Sequence, residues 1–173
     1  SSISEDLSII KETFEERGRG LLITVPGAAG GVKFIPTMTD EDVKQVAEDL
    51  IEQLSKVERL LPGGYLYMTD LLGNPSLMNK VGKVFASAFA NEKIDAIMTV
   101  ATKGIAIAHA IARHLNVPVV IVRRDSKVTE GPTVSINYVS GSARRIQTMV
   151  LSKRSMEKGQ RVLITDDFMK VGG

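Results

Sequence analysis

Apolar residues at Ile3, Leu7, Ile10 and Phe14 fall at steps of four, three and four, and this stripe predicts a helix over residues 4–17. Ser4 is its expected N-cap, with Glu5 and Asp6 in the first turn where negative charge suits the helix dipole. Arg17-Gly18-Arg19-Gly20 stops it. Apolar runs at 21–25 and 32–35 then read as two strands joined by the glycine-rich loop 26–31. A second helix opens at Thr39 before Asp40, Glu41 and Asp42. Its expected buried face is Val43, Val46, Ala47, Leu50, Ile51, Leu54 and Val57. Leu61-Pro62-Gly63-Gly64 ends it. Residues 65–68 read as a strand and 73–75 as a turn. Ser76 is the expected cap of a helix running to 89, with Leu77, Val81, Val84, Phe85 and Ala88 turned inward.

Beyond residue 94 the order becomes strand, turn, helix, strand. Residues 96–100 are apolar with few polar breaks, as a strand buried on both faces requires. Residues 102–104 form a tight turn, 105–115 a crossover helix, 117–122 the next strand and 161–165 another. This alternation predicts an α/β domain with a mostly parallel sheet, flanking helices and right-handed crossovers. The stretch 123–145 is polar, basic and longer than a connector needs. The expected division is 1–37, a linker helix over 38–63, and a main domain over 64–173.

Composition narrows the chemistry more than the fold. A 173-residue chain with 43% apolar and 24% charged residues can bury one α/β core plus an appendage. The formal charge of +2 announces no nucleic acid globally, so local basic clusters must carry any such claim. There is no cysteine, which removes disulfides and thiolate metal sites and suits a cytoplasmic protein. His109 and His114 stand at i, i+5 on one helix, a poor spacing for sharing a metal, and no metal site is expected. No signal peptide opens the chain, and no apolar run approaches the ~18 residues of a membrane span.

The densest chemical signal is the end of the chain. Residues 162–165 are a short apolar run leading into Asp166 and Asp167, where a buried strand gives way to a loop closing on Gly172 and Gly173. Paired acids accept hydrogen bonds from vicinal hydroxyls, and a glycine loop brings backbone N–H groups onto a phosphate. Together they describe a sugar-phosphate site at the carboxyl end of a strand. The plainer alternative is an Asp-Asp turn before a tail. A second element is Ala101-Thr102-Lys103-Gly104, between a strand end and a helix N-terminus. Amide groups, dipole and the Lys103 charge there all favour an anion, although a plain connector has the same appearance. Tyr65 is placed to stack a base from a strand edge, or simply to pack.

Three resemblances tie these elements together. Asp166-Asp167 with the loop Phe168, Met169, Lys170, Val171, Gly172, Gly173 resembles the signature of the type I phosphoribosyltransferases. In that family the acids hold the ribose hydroxyls of phosphoribosyl pyrophosphate (PRPP) and the loop holds its 5′-phosphate. The turn at Ala101–Gly104 corresponds to the one that holds the pyrophosphate. Lys170-Val171 departs from the Ala-Thr usual in the enzymes. Residues 123–145 resemble the arm of the adenine and xanthine enzymes, which makes Arg123, Arg124 and Lys127 candidate phosphate partners and Tyr138 a candidate cover; the plainer alternative is a solvated hairpin. Helix, strand, glycine loop and strand over 1–35 resemble the second half of a winged-helix module. Ser1, Ser2, Ser4, Ser8 and Lys11 would then be the polar face of a recognition helix, with Arg17, Arg19 and Lys33 meeting phosphates. Hydroxyl residues at a helix start are equally ordinary as caps.

The combination is similar to the purine operon repressors of the phosphoribosyltransferase-fold type, over essentially all 173 residues. Thr24–Gly31, Met98–Gly104, Lys127–Gly131 and Asp166–Lys170 carry the likeness. The resemblance implies a homodimeric, double-stranded-DNA-binding regulator of purine synthesis. PRPP would be its inducer, with or without magnesium, and purine nucleotides would compete for the pocket. It implies no required cofactor and no transferase activity. Relative to that family the chain lacks the first winged-helix elements and everything after Gly173. The alternative from another class is a purine phosphoribosyltransferase enzyme.

Overall fold

The computed structural model describes residues 2–125, 128–139 and 146–168. It separates into two units, Ser1–Glu92 and Lys93–Gly173. Residues 64–92, grouped with the later domain by the sequence division, pack within the first.

In the first unit, helix α1 spans Ile3–Glu16. Its N-cap is Ser2, not Ser4: Ser2 and Glu5 form a reciprocal capping box, which moves the cap two residues and the helix start one residue earlier than expected. Strands β1 (Gly20–Val25) and β2 (Gly31–Pro36) pair antiparallel, with Leu22 opposite Phe34. Phe14 from α1 meets Phe34 at a ring-centroid distance of 4.9 Å, so the helix packs on its own hairpin. Of the predicted stripe, Leu7 and Phe14 are half-buried while Ile3 and Ile10 stay exposed.

Helix α2 (Asp40–Leu54) starts at the predicted Thr39, whose hydroxyl accepts the Asp42 N–H at 3.2 Å. The Thr39 hydroxyl, followed by Arg19 2.6 Å away, holds the Asp42 carboxyl below the usual range. The expected apolar face is only partly correct. Leu50 and Leu54 pack on the cluster of Leu71, Leu77 and Val81, but Ala47, Ile51 and Val57 are exposed. The strand predicted at 65–68 is the short β4 (Tyr65–Leu66), paired antiparallel with β3 (Leu60–Leu61) rather than with the main sheet. Arg59 staples this hairpin to α3 (Thr69–Leu72) by a bidentate pair with Asp70, at 2.7 and 2.8 Å. Helix α4 (Pro75–Ala88) is capped by Asn74, with Pro75 at its first position, not by Ser76. Its inward residues include the small Gly82 and Ala86, while Phe85 and Ala88 are exposed.

In the second unit the predicted order holds. Strand β5 (Ala96–Val100), helix α5 (Gly104–Leu115) and strand β6 (Val119–Val122) form a parallel β-α-β unit. Strand β9 (Val162–Ile164) joins on the other side, also parallel, giving the order β6-β5-β9. Ile97 and Ile111 are fully buried between sheet and helix, with Ala96, Ala108, Leu115 and Val120 around them. Asn116 ends α5 in the left-handed conformation, φ 53°. The described part of the long stretch after β6 includes a strand of the hairpin expected as its plainer reading. β7 (Thr133–Val139) and β8 (Ile146–Ser152) form an antiparallel hairpin, tied back to the end of β6 where Arg123 exchanges two backbone bonds with Val150. β8 is not among the strands expected from the sequence, although Ser140-Gly141-Ser142 before it is a turn signal.

Candidate functional site

Both site-bearing strands of the second unit are parallel neighbours, so their carboxyl ends open on the same edge of the sheet. Beyond the paired residues Met98 and Ile164, Thr165 N–H donates to Met98 C=O at 2.9 Å, carrying the ladder one step further. Asp166 therefore emerges beside the turn that leads from β5 into α5. The two meet at Gly104, the first residue of α5. A Cβ built on Gly104 would lie 2.7 Å from Asp166 Oδ1 and 3.3 Å from Asp166 Cα, and closer still to Thr99 Oγ1. Glycine is needed here for space, since any side chain would push Asp166 away from the helix N-terminus.

The predicted elements Ala101–Gly104 and Asp166-Asp167 are thus brought together. Lys103 precedes the helix without a side-chain capping bond and is exposed, and the Ala101–Thr102 peptide is cis. Asp166 Oδ1 accepts the Asp167 N–H at 2.9 Å. Although Asp166 is exposed as a residue, desolvation pushes its carboxyl above the usual range. The Asp167 N–H bond opposes the rise, and a hydrogen bond and repulsion from the Asp167 carboxyl add to it. Such an edge, with two acids, helix amides and a lysine, can accept bonds from hydroxyls and neutralise an anion in one place. Among the described residues no group of acids and histidines has the makings of a metal site.

Other predicted residues stand elsewhere. Arg123 directly follows β6, and its Nε lies 3.5 Å from Glu130 Oε1, an ion pair without a hydrogen bond. The Tyr138 hydroxyl donates to Gln147 Oε1 at 2.6 Å across the β7–β8 hairpin. Phe168 is exposed. Tyr65 is on β4 in the first unit, 71% exposed. Ser1, Lys127, Arg144, Arg145, Met169, Lys170, Val171, Gly172 and Gly173 lie outside the described residues. Thr99, Thr165 and Glu130 are not among the residues the sequence singles out. A threonine interrupting an otherwise apolar buried strand, as in Ala-Ile-Met-Thr-Val, was the available signal for the first.

On the first unit, α1 presents Ser4, Ser8 and Lys11 to solvent. Ser8 Oγ donates to the Ser4 carbonyl at 3.0 Å, Lys11 lies 4.0 Å from Glu15, and the Ser2 oxygen serves the cap. Arg17 is the exposed C-cap residue, and Lys33 lies half-buried in β2 opposite Ile23.

Residues 68–173 match the phosphoribosyl transferase domain. The chain belongs to that family. Residues 1–36 also match the N-terminal region of the bacterial purine repressor. The whole chain is 65% identical to the purine biosynthesis transcriptional repressor PurR of Bacillus subtilis, over 61% of that protein's length. It is 53% identical to the purine biosynthesis transcriptional activator PurR of Lactococcus lactis subsp. lactis, over 64% of its length. The chain thus spans about three fifths of the relatives it matches. The adenine phosphoribosyltransferase of Saccharomyces cerevisiae shares the fold, with TM-score 0.58 and 23% identity over 70% of each chain. The fold is accordingly that of the type I phosphoribosyltransferases, preceded by a region similar to the N-terminal part of the bacterial purine repressor.

Proposed function

We propose that this phosphoribosyltransferase-family chain is the sensing and DNA-contacting part of a transcriptional regulator of purine biosynthesis, with PRPP as its effector. The observation that carries the proposal is the meeting of Asp166 with the α5 N-terminus at Gly104. Acceptors for vicinal sugar hydroxyls and amides for a phosphate share one strand edge there. Similarity over the whole of this chain to regulators of purine biosynthesis supports the DNA-binding role. In this reading the protein is a homodimer that acts in the cytoplasm. Lys170-Val171, in place of the enzymes' Ala-Thr, favours binding without transfer. In this proposal Lys103, Asp166, Asp167 and the 168–173 loop hold the ligand, with magnesium accompanying its pyrophosphate. Ser2, Ser4, Ser8, Lys11, Arg17 and Lys33 meet DNA.

PRPP carries several negative charges, and DNA needs positive surface. Effector binding then weakens DNA binding by cancelling charge or by shifting the 123–145 arm, in either case through unequal affinity for the two states. Calorimetric titration with PRPP should show binding to the wild-type protein and none to Asp166→Asn/Asp167→Asn. The enzyme reading makes a different demand. Release of pyrophosphate on adding a purine base together with PRPP would replace the regulator by a transferase.

A further inference from the structure

The sheet order puts a third strand end beside the candidate site. Ala101 N–H donates to Val122 C=O at 2.9 Å, which extends the β5–β6 ladder and sets Arg123 level with Ala101. Arg123 is thus one strand away from the turn whose amides, helix dipole and Lys103 favour an anion. Its backbone is held on the other side by the two bonds exchanged with Val150, at 2.9 and 2.7 Å. The arginine is therefore rooted at a fixed point on the carboxyl edge of the sheet. Its Nε is nevertheless buried without a hydrogen-bond partner, and the Glu130 carboxylate stands off at 3.5 Å. A guanidinium holds an oxyanion best through short, parallel bonds, and this pair leaves the Nε donor unused. Glu130 is anchored by its main chain, where Ser152 Oγ donates to its carbonyl at 2.9 Å.

We propose that Glu130 is a resident counter-anion for Arg123 and sets the affinity of this strand edge for phosphate: an arriving phosphate group and the Glu130 carboxylate compete for one guanidinium. The inference rests on the reading of the edge as an anion site. In the free protein the carboxylate offsets the arginine's charge next to the turn. The two side chains are 33% and 31% exposed, and a pair so separated and so open to water is weak. A phosphate on the turn draws the guanidinium from that loose pairing into charge-assisted hydrogen bonds. Glu130 thereby lowers affinity without preventing binding.

The test titrates the full chain by calorimetry at low salt, with pyrophosphate and separately with PRPP. Glu130→Gln keeps the shape of the side chain and leaves the Ser152 bond to the main chain in place. It should bind both ligands about threefold more tightly than wild type, with the gain shrinking as salt rises. Arg123→Gln should bind both about tenfold more weakly, and adding Glu130→Gln to it should change nothing further. Equal or weaker binding by Glu130→Gln overturns the proposal. So does a gain that persists in the Arg123→Gln background, because Glu130 would then be repelling the ligand directly. PRPP binding by wild type that ignores Glu130 refutes the pair and leaves the sugar-phosphate reading standing. Pyrophosphate binding that responds as expected, with no binding of PRPP, keeps the pair and removes that reading instead. Failure of wild type and Glu130→Gln to bind either ligand removes both.

Discussion

At the residue scale, Gly104 and Asp166 decide the site. Alanine at 104 would gain helix propensity worth about 1 kcal/mol. Its Cβ would also press on Thr99 Oγ1 and Asp166, and overpacking of this kind typically costs about 1–3 kcal/mol. Gly104→Ala should therefore be destabilised on balance, by roughly 1 kcal/mol in denaturant unfolding, and should lose PRPP binding almost entirely. An alanine variant as stable as wild type would show that the approach is loose. Asp166 carries a pH signature. Because burial raises its folded-state pKa, the stability it contributes is present below the ordinary carboxylate range and is lost as pH rises through the raised value. Asp166→Asn should thus be more stable than wild type at neutral pH, with the gap closing in acid. An unchanged gap across that range would contradict the assignment. The two acids were legible in the sequence as a pair after an apolar run. Their contact with a residue more than sixty positions earlier was not, because only the parallel pairing of β5 with β9 creates it.

At the element scale, periodicity located α1, α2, α4, α5 and the parallel strands, while caps and faces were less secure. Ser2 displaced Ser4 because Glu5 lies three residues after Ser2 and completes a reciprocal pair. Asn74 displaced Ser76 because Pro75 suits the first helical position, where its missing N–H costs nothing. The exposure of Ile51 reflects helix α2 resting its Leu50–Leu54 edge on the Leu71, Leu77 and Val81 cluster, and Val57 lies beyond the helix, in the turn Val57–Arg59. The apolar residues Val134, Ile136 and Val139 of β7 are exposed, and β8 is mostly half-buried, so the hairpin lacks the clean alternation that marks a strand with one buried face. Ser2 also allows a separation of roles. Ser2→Ala should cost about 1 kcal/mol of stability through the lost cap. Ser2→Asp keeps a capping oxygen and suits the helix dipole, so it should retain stability while weakening DNA binding by repelling phosphate. If the aspartate variant binds DNA like wild type, Ser2 is a cap alone.

At the scale of the whole molecule, the proposed function requires a strand edge in one unit and a helix and hairpin in the other to depend alike on phosphate. Nothing in the net charge of +2 suggests this, since the relevant cations are local. If charge cancellation is the link, the effect of PRPP on DNA binding should shrink steeply as salt rises, whereas a shift of the arm predicts little change. The most direct measurement is binding of the full protein to a purine-biosynthesis control region, with and without PRPP, for wild type and Asp166→Ala/Asp167→Ala. The account predicts that PRPP changes the affinity of wild type for DNA and leaves the double variant unaffected. Specific DNA binding that ignores PRPP in wild type, or responds to it equally in the variant, would contradict it.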